Sequence, residues 1–382
     1  MTGMNDRVAY LQSLFSGARQ EERFDRQHQI FPVSTMRPAP EPRPFPTGPA
    51  MELPATYRFE GAEKESAAFL AETDTAALMV IHRGRLRHEA YRLTGGPSVT
   101  WVSMSVAKSF VSAALGIAQA EGGFGSVEEG IVDYLPELRG SAYDGARIKD
   151  VLQMSSGARW NEDYSDPQSD ISRFISIFAQ GGSFNDFAAT LVRERAPGTY
   201  NLYNSTDTQV LGMLLKAVTG ETIRDYVEAR LWHPLGMQDP GHWLVDSTGM
   251  EMAFGGLNAT ARDYAKLGEL YRLGGSWNGR QIVPETWVRD SVTADAPHLK
   301  AGAGELAGTI FSYGYQWWLP GDDGEFSAIG VYNQFVYVDP RRDLVIAKLS
   351  ANHRYGLTND ESSYREAETI ALFRAIGRAL EG

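Results

Sequence analysis

The chain has 382 residues, a formal net charge of −12 and no cysteine. That length exceeds one comfortable hydrophobic core and points to two lobes or one large α/β unit. The surplus of carboxylates disfavours nucleic acid and an anionic membrane surface as partners, and the lack of thiols excludes disulfides, cysteine nucleophiles and zinc–thiolate sites.

The opening residues carry scattered charge with no apolar leader segment, and no later stretch reaches the roughly 18 apolar residues of a membrane span, so a cytoplasmic protein is expected. Residues 1 to about 30 read as one or two helices with a polar face. Eight prolines then crowd between Pro32 and Pro54, which disfavours helix and sheet and predicts an extended arm over the surface.

From Ala76 the pattern becomes globular. AALMVIHRG predicts a buried strand turning at Arg83-Gly84, with RLRHEAYR as its hairpin partner. After TWVSM, apolar residues at Val106, Phe110, Val111, Ala114, Leu115 and Ala118 predict a helix that stops at Gly122-Gly123. Residues from about 124 to 250 are mostly helical patterns broken by loops. Two more helices are predicted in ATARDYAKLGELYRLGG and PETWVRDSV. The last third turns to strands in YGYQWWLP, EFSAIG, NQFVYVDP and DLVIAKLSA, and closes with a helix in SYREAETIALFRAIGRAL. Strands near both ends with helices between them predict an α/β (α+β) fold. An antiparallel sheet is built from N- and C-terminal segments and flanked by helices, with an all-α domain inserted. The expected division is an extension over 1–60, an α/β domain from 61–123 and 251–382, and a helical domain over 124–250.

Chemistry concentrates in Ser105-Val106-Ala107-Lys108. Ser105 starts an amphipathic helix, where unpaired N–H groups favour developing negative charge, and the i, i+3 spacing puts Lys108 on the same face. A desolvated lysine can serve as the base that a serine hydroxyl needs. A second motif, Tyr203-Asn204-Ser205, follows the Pro197-Gly198 turn and precedes a helix.

Together these motifs resemble the serine β-lactamase and penicillin-binding-protein superfamily, in which an SxxK serine and lysine meet a tyrosine from a Y-x-N loop. Ser205 stands where asparagine is usual, as in the branch of 6-aminohexanoate-dimer hydrolases and family VIII carboxylesterases. By position, Ala328-Ile329-Gly330 takes the place of the superfamily's K-T-G or H-T-G triad, and the following Q-x-x-Y-V-x-P at Gln334 resembles the family well. The cation of the triad is lost and its glycine kept, which lets backbone and substrate approach closely. The resemblance runs from about Ala76 to about Ser350.

The resemblance implies a β-lactamase/transpeptidase-like fold and an acyl-enzyme on Ser105, with Lys108 and Tyr203 removing its proton. It places the oxyanion hole at the backbone N–H groups of Ser105 and Val331. Tyr164, in NEDYSDP, corresponds to a tyrosine that closes over substrate. Ser205, Asn258, Gly330 and Ile329 complete the expected substrate-binding set, Asn258 equally suiting the cap of the helix beginning near Ala259. The implied substrates are short-chain esters or linear amides, with no cofactor or metal; a homodimer is compatible with the resemblance. A D-aminopeptidase or weak β-lactamase is the alternative enzyme, and an inactive scaffold the alternative outside catalysis. No G-x-S-x-G elbow is present, and His233, His242 and His353 read as structural.

Overall fold

The computed structural model describes residues 4–381; residues 1–3 and 382, at the two ends of the expected divisions, lie outside the described residues. At its centre is a seven-stranded antiparallel sheet. In spatial order its strands are Phe311–Tyr313, Trp318–Pro320, Phe326–Gly330, Gln334–Asp339, Leu344–Ser350, Thr75–His82 and Arg85–Tyr91. Segments from both ends of the chain therefore meet in one sheet, as the order of elements predicts. The Thr75–His82 hairpin turns at Arg83 and Gly84, both at positive φ, the geometry that matches strand twist in a two-residue turn.

Both faces of the sheet are covered, which explains its continuously apolar strands. Met79, Ile81, Val336, Val338, Val345 and Ala347 join the main core, where helix Ala261–Arg272 packs. Leu78, Val80, Phe335, Tyr337 and Ile346 face the other way, onto Phe69 and the closing helix Glu366–Ala379. Among the described residues no helix is long and apolar enough to cross a membrane.

The middle of the chain is helical and packs against helix Ala107–Ala120, which is buried from Ala107 through Ala118. Its main support is helix Ser205–Thr219, capped by Asn204 and closed by Gly220 at φ 71°.

A second sheet escaped the sequence reading. Val33–Met36, Gly241–Leu244, Leu257–Ala259 and Trp101–Val102 pair antiparallel, so a strand sits between Pro32 and Pro38 despite the surrounding prolines. Four proline-free residues suffice for it. This sheet joins strands on either side of residue 250, and a hairpin of Thr56–Phe59 with Ala62–Glu65 spans residue 60. The rest of the proline-rich arm lies over the surface, as expected. It bonds to Gly236 and Met237, then runs along the outer strand of the large sheet, where Gly48 and Met51 donate to Leu86 and Arg87 carbonyls.

Candidate active site

Ser105 lies in a 3-10 turn, Met104–Val106, at the entrance of helix Ala107–Ala120. Two strands hold the approach: Trp101–Val102 pairs with Asn258 and Ala259, and Ser103 N–H donates to Leu257 O at 2.7 Å. Met104 is forced to φ 45°, a left-handed conformation that costs a bulky residue about 1–3 kcal/mol. The strain falls on the residue immediately before the serine.

One helical turn on, the Lys108 ammonium nitrogen reaches Ser105 Oγ at 2.8 Å, Ser205 Oγ at 3.2 Å and Phe254 O at 2.7 Å. The side chain is fully buried, and desolvation lowers its pKa from 10.5 to about 7; the field of Glu162 works in the opposite direction. Lys108 thus spends a substantial fraction of its time as a free amine at neutral pH.

Tyr203 stands on the other side of Ser105. Its ring stacks on Trp318 at 5.2 Å, and Lys108 Nζ lies 5.1 Å from the ring centre. Its backbone N–H donates to Glu305 at 2.7 Å. Burial, and then the charge of Glu162, pushes the phenol well above its ordinary value against the lowering effect of Ser105. A phenol held so high keeps its proton at neutral pH.

The structure brings Ser105, Lys108, Tyr203, Ser205, Tyr164, Gly330 and Val331 to one place. A Cβ on Gly330 would fall 2.6 Å from Ser103 O and 3.0 Å from Ser105 N, so the strand end can press against the serine turn only as glycine. Val331 follows at the wall of the cavity that opens on Ser105. Tyr164 lines the same cavity and donates its hydroxyl to Glu162 at 2.7 Å.

Two expected site residues do not belong. Ile329 faces away: strand alternation puts Ala328 and Gly330 toward Ser105 and sends Ile329 into the core behind the sheet, beside Phe335. Asn258 is buried inside its strand, where its amide donates to Gly256 O at 3.0 Å, and it caps nothing; the cap of helix Ala261–Arg272 is Thr260. The histidines are engaged elsewhere, with His242 stacked on His28 and His353 bonded to Asp74.

Sequence reasoning also missed two features. Glu162, two residues before Tyr164, gathers the site: it accepts from Ser205 N at 3.1 Å, Ser205 Oγ at 2.6 Å, the Tyr164 hydroxyl and the Trp160 indole N–H. Its neighbourhood in WNEDY was the available signal. The other feature is the N-terminal segment, whose Tyr10, Leu11, Leu14 and Phe15 wall the cavity.

Comparison with known proteins agrees with this geometry. The Beta-lactamase family profile matches residues 67–369. A 6-aminohexanoate-dimer hydrolase of Paenarthrobacter ureafaciens is 32% identical over 291 residues, which cover 74% of each chain. Among solved structures, a Bacillus anthracis protein provisionally named a 6-aminohexanoate-dimer hydrolase superposes with a TM-score of 0.83 at 23% identity, covering 94% of both chains. A family VIII carboxylesterase superposes with a TM-score of 0.62 at 13% identity, over 82% of this chain and 95% of the other. With Lys108 bonded to Ser105, Tyr203 beside them and four-fifths of the chain matching one profile, this protein belongs to the β-lactamase family and is a homologue of the 6-aminohexanoate-dimer hydrolases.

Proposed function

We propose that the protein cleaves short-chain carboxylic esters, and linear amides more slowly, through an acyl-enzyme on Ser105. The observation that carries this reading is the 2.8 Å hydrogen bond from a buried Lys108, its pKa lowered to about 7, to a serine hydroxyl at the floor of an open cavity. Neutral Lys108 takes the Ser105 proton as Oγ bonds to the carbonyl carbon. The backbone N–H groups of Ser105 and Val331 hold the oxyanion. Tyr203 then gives its proton to the leaving oxygen or nitrogen, the carbonyl–leaving-group bond breaks, and the Lys108 ammonium restores the Tyr203 proton. Water repeats the sequence on the acyl-enzyme and releases the acid.

Two substitutions favour esters and linear amides over β-lactams or cell-wall peptides. Ser205 replaces the asparagine that would orient a substrate amide, and Ala328 replaces the cation that would hold a carboxylate. The amide reading draws support from the 32% identity to a 6-aminohexanoate-dimer hydrolase. The reading takes a small molecule as sole substrate, a cytoplasmic enzyme needing neither nucleic acid nor membrane, and a homodimer as the working assembly.

The test is p-nitrophenyl butyrate hydrolysis by wild type, Ser105→Ala and Lys108→Ala, with mass spectrometry of protein treated with a fluorophosphonate. Activity and a single adduct on Ser105 are expected in wild type, and loss of both in Ser105→Ala. Hydrolysis that survives Ser105→Ala would sink the assignment.

A further inference from the structure

The cavity that opens on Ser105 is walled on one side by helix Met4–Ser13 and the turn after it. After helix Met4–Ser13 the backbone bends through Phe15, held at φ 57°, which few bulky residues adopt without tertiary support. The support is specific. The Phe15 ring lies between Tyr164, at 4.5 Å, and Tyr332, at 5.0 Å, and its N–H donates to the Tyr332 hydroxyl at 2.7 Å. Tyr10 is anchored in turn by Gln27 and by Phe31, whose ring packs on Phe178. These contacts keep Leu11 and Leu14 turned into the cavity.

The lining contains no Lys, Arg, Asp, Glu or His. Its polar members are largely committed: Gln27 to the Tyr10 hydroxyl, Tyr332 to Phe15, and Tyr164 and Ser205 to Glu162. Glu162 itself stands behind this wall with each oxygen already accepting from two donors. A charged group entering the cavity would leave water and find no partner. Neither Tyr203 nor Trp318 belongs to the lining, so the side on which Tyr203 would protonate a leaving group is separate from the cavity. The free interior is about 60 Å³, which suits a short chain.

Resting on the acyl-enzyme reading, we propose that Leu11, Leu14 and Phe15 form the selecting wall of an acyl site, which takes a short, uncharged, apolar acyl chain. The site discriminates by chain length and against a terminal ammonium or carboxylate. Phe15 is a positioning residue that holds the wall in register.

The test is kcat/KM, by pH-stat, for methyl esters of straight-chain acids from acetate to decanoate and for methyl 6-aminohexanoate. Full-length wild type, Leu14→Trp and Phe15→Ala are compared. In wild type, butyrate or hexanoate is expected to exceed both acetate and decanoate at least 10-fold, and hexanoate to exceed its 6-amino analogue at least 100-fold. Leu14→Trp is expected to lower the hexanoate-to-acetate ratio at least 10-fold, and Phe15→Ala to raise the decanoate-to-hexanoate ratio. A flat acyl series, equal turnover of the aminated chain, or ratios unmoved by both variants would overturn the proposal. So would a series of acetate esters of longer alcohols that carried the chain-length dependence instead. Should Leu14→Trp not fold, the wild-type series and Phe15→Ala still decide. Failure of the hydrolase reading has a different signature, no turnover of any ester and no fluorophosphonate adduct on Ser105, and removes the acyl site with it.

Discussion

The lowered pKa of Lys108 should be visible directly in the pH dependence of the reaction, and it should move in a direction set by Glu162. Desolvation, partly offset by Glu162, takes the lysine from 10.5 to about 7, a net disadvantage of roughly 5 kcal/mol for the ammonium. Only the free amine can accept the serine proton, so kcat/KM for a short ester should rise with pH through a single ionisation near 7 and level off above it. Glu162 opposes this shift, because its negative charge favours the ammonium. Two hydrogen bonds meeting at Ser205 Oγ, 3.2 Å from Lys108 and 2.6 Å from Glu162, place the two charges less than about 6 Å apart. At an effective dielectric constant near 20 their attraction is about 3 kcal/mol or more, roughly 2 pH units. Glu162→Gln should therefore shift the midpoint toward acid, by about 2 units. The assay is initial rate against pH at substrate concentrations well below KM. It reads the midpoint and not the amplitude, so a reduced rate in the variant does not obscure the answer. A wild-type midpoint above 9, or one that stays put or moves to alkaline pH in Glu162→Gln, would refute the assignment of Lys108 as a desolvated base.

Removing only the Tyr203 hydroxyl should separate chemistry from packing: Tyr203→Phe keeps the stacking on Trp318, and kcat is expected to fall about 10²- to 10⁴-fold with little change in melting temperature. A similar rate would mean that the leaving group finds its proton elsewhere. Gly330→Ala places a methyl 2.6 Å from Ser103 O and should cost about 1–3 kcal/mol of stability by overpacking, besides lowering kcat/KM at least 10-fold as the strand backs away from Ser105. Urea unfolding and ester kinetics on one preparation would read both; unchanged values would show that the strand has room to spare.

Much of this arrangement was legible before any coordinates. The hairpin at Arg83-Gly84, the serine helix and the C-terminal meander each carry a strong local period, and their boundaries follow from turn residues that the chemistry of φ demands. What was not legible depended on distant partners. Gly241–Leu244 and Leu257–Ala259 are short strands whose pairing with Val33–Met36 and Trp101–Val102 has no local signature. Asn258 was consequently read as a helix cap or site residue, while the strand it belongs to turns its amide onto Gly256. The N-terminal residues read as one or two helices with a polar face, and nothing local says what the other face covers, so Leu11 and Leu14 drew no expectation. Ile329 is a different kind of miss. Strand alternation alone excludes it from sharing a face with Gly330, and only its place inside the family triad suggested otherwise.

The pairing of Val33–Met36 with Gly241–Leu244 has a consequence for the order in which the molecule matures. The strand Val33–Met36 has no partner until more than 200 further residues have been synthesised. Contacts that distant in sequence are slow to close, because loop entropy is spent before any bond is made. The serine helix and the central helices can pack while the leading segment is still loose, and the cavity over Ser105 acquires its last wall only when that segment docks.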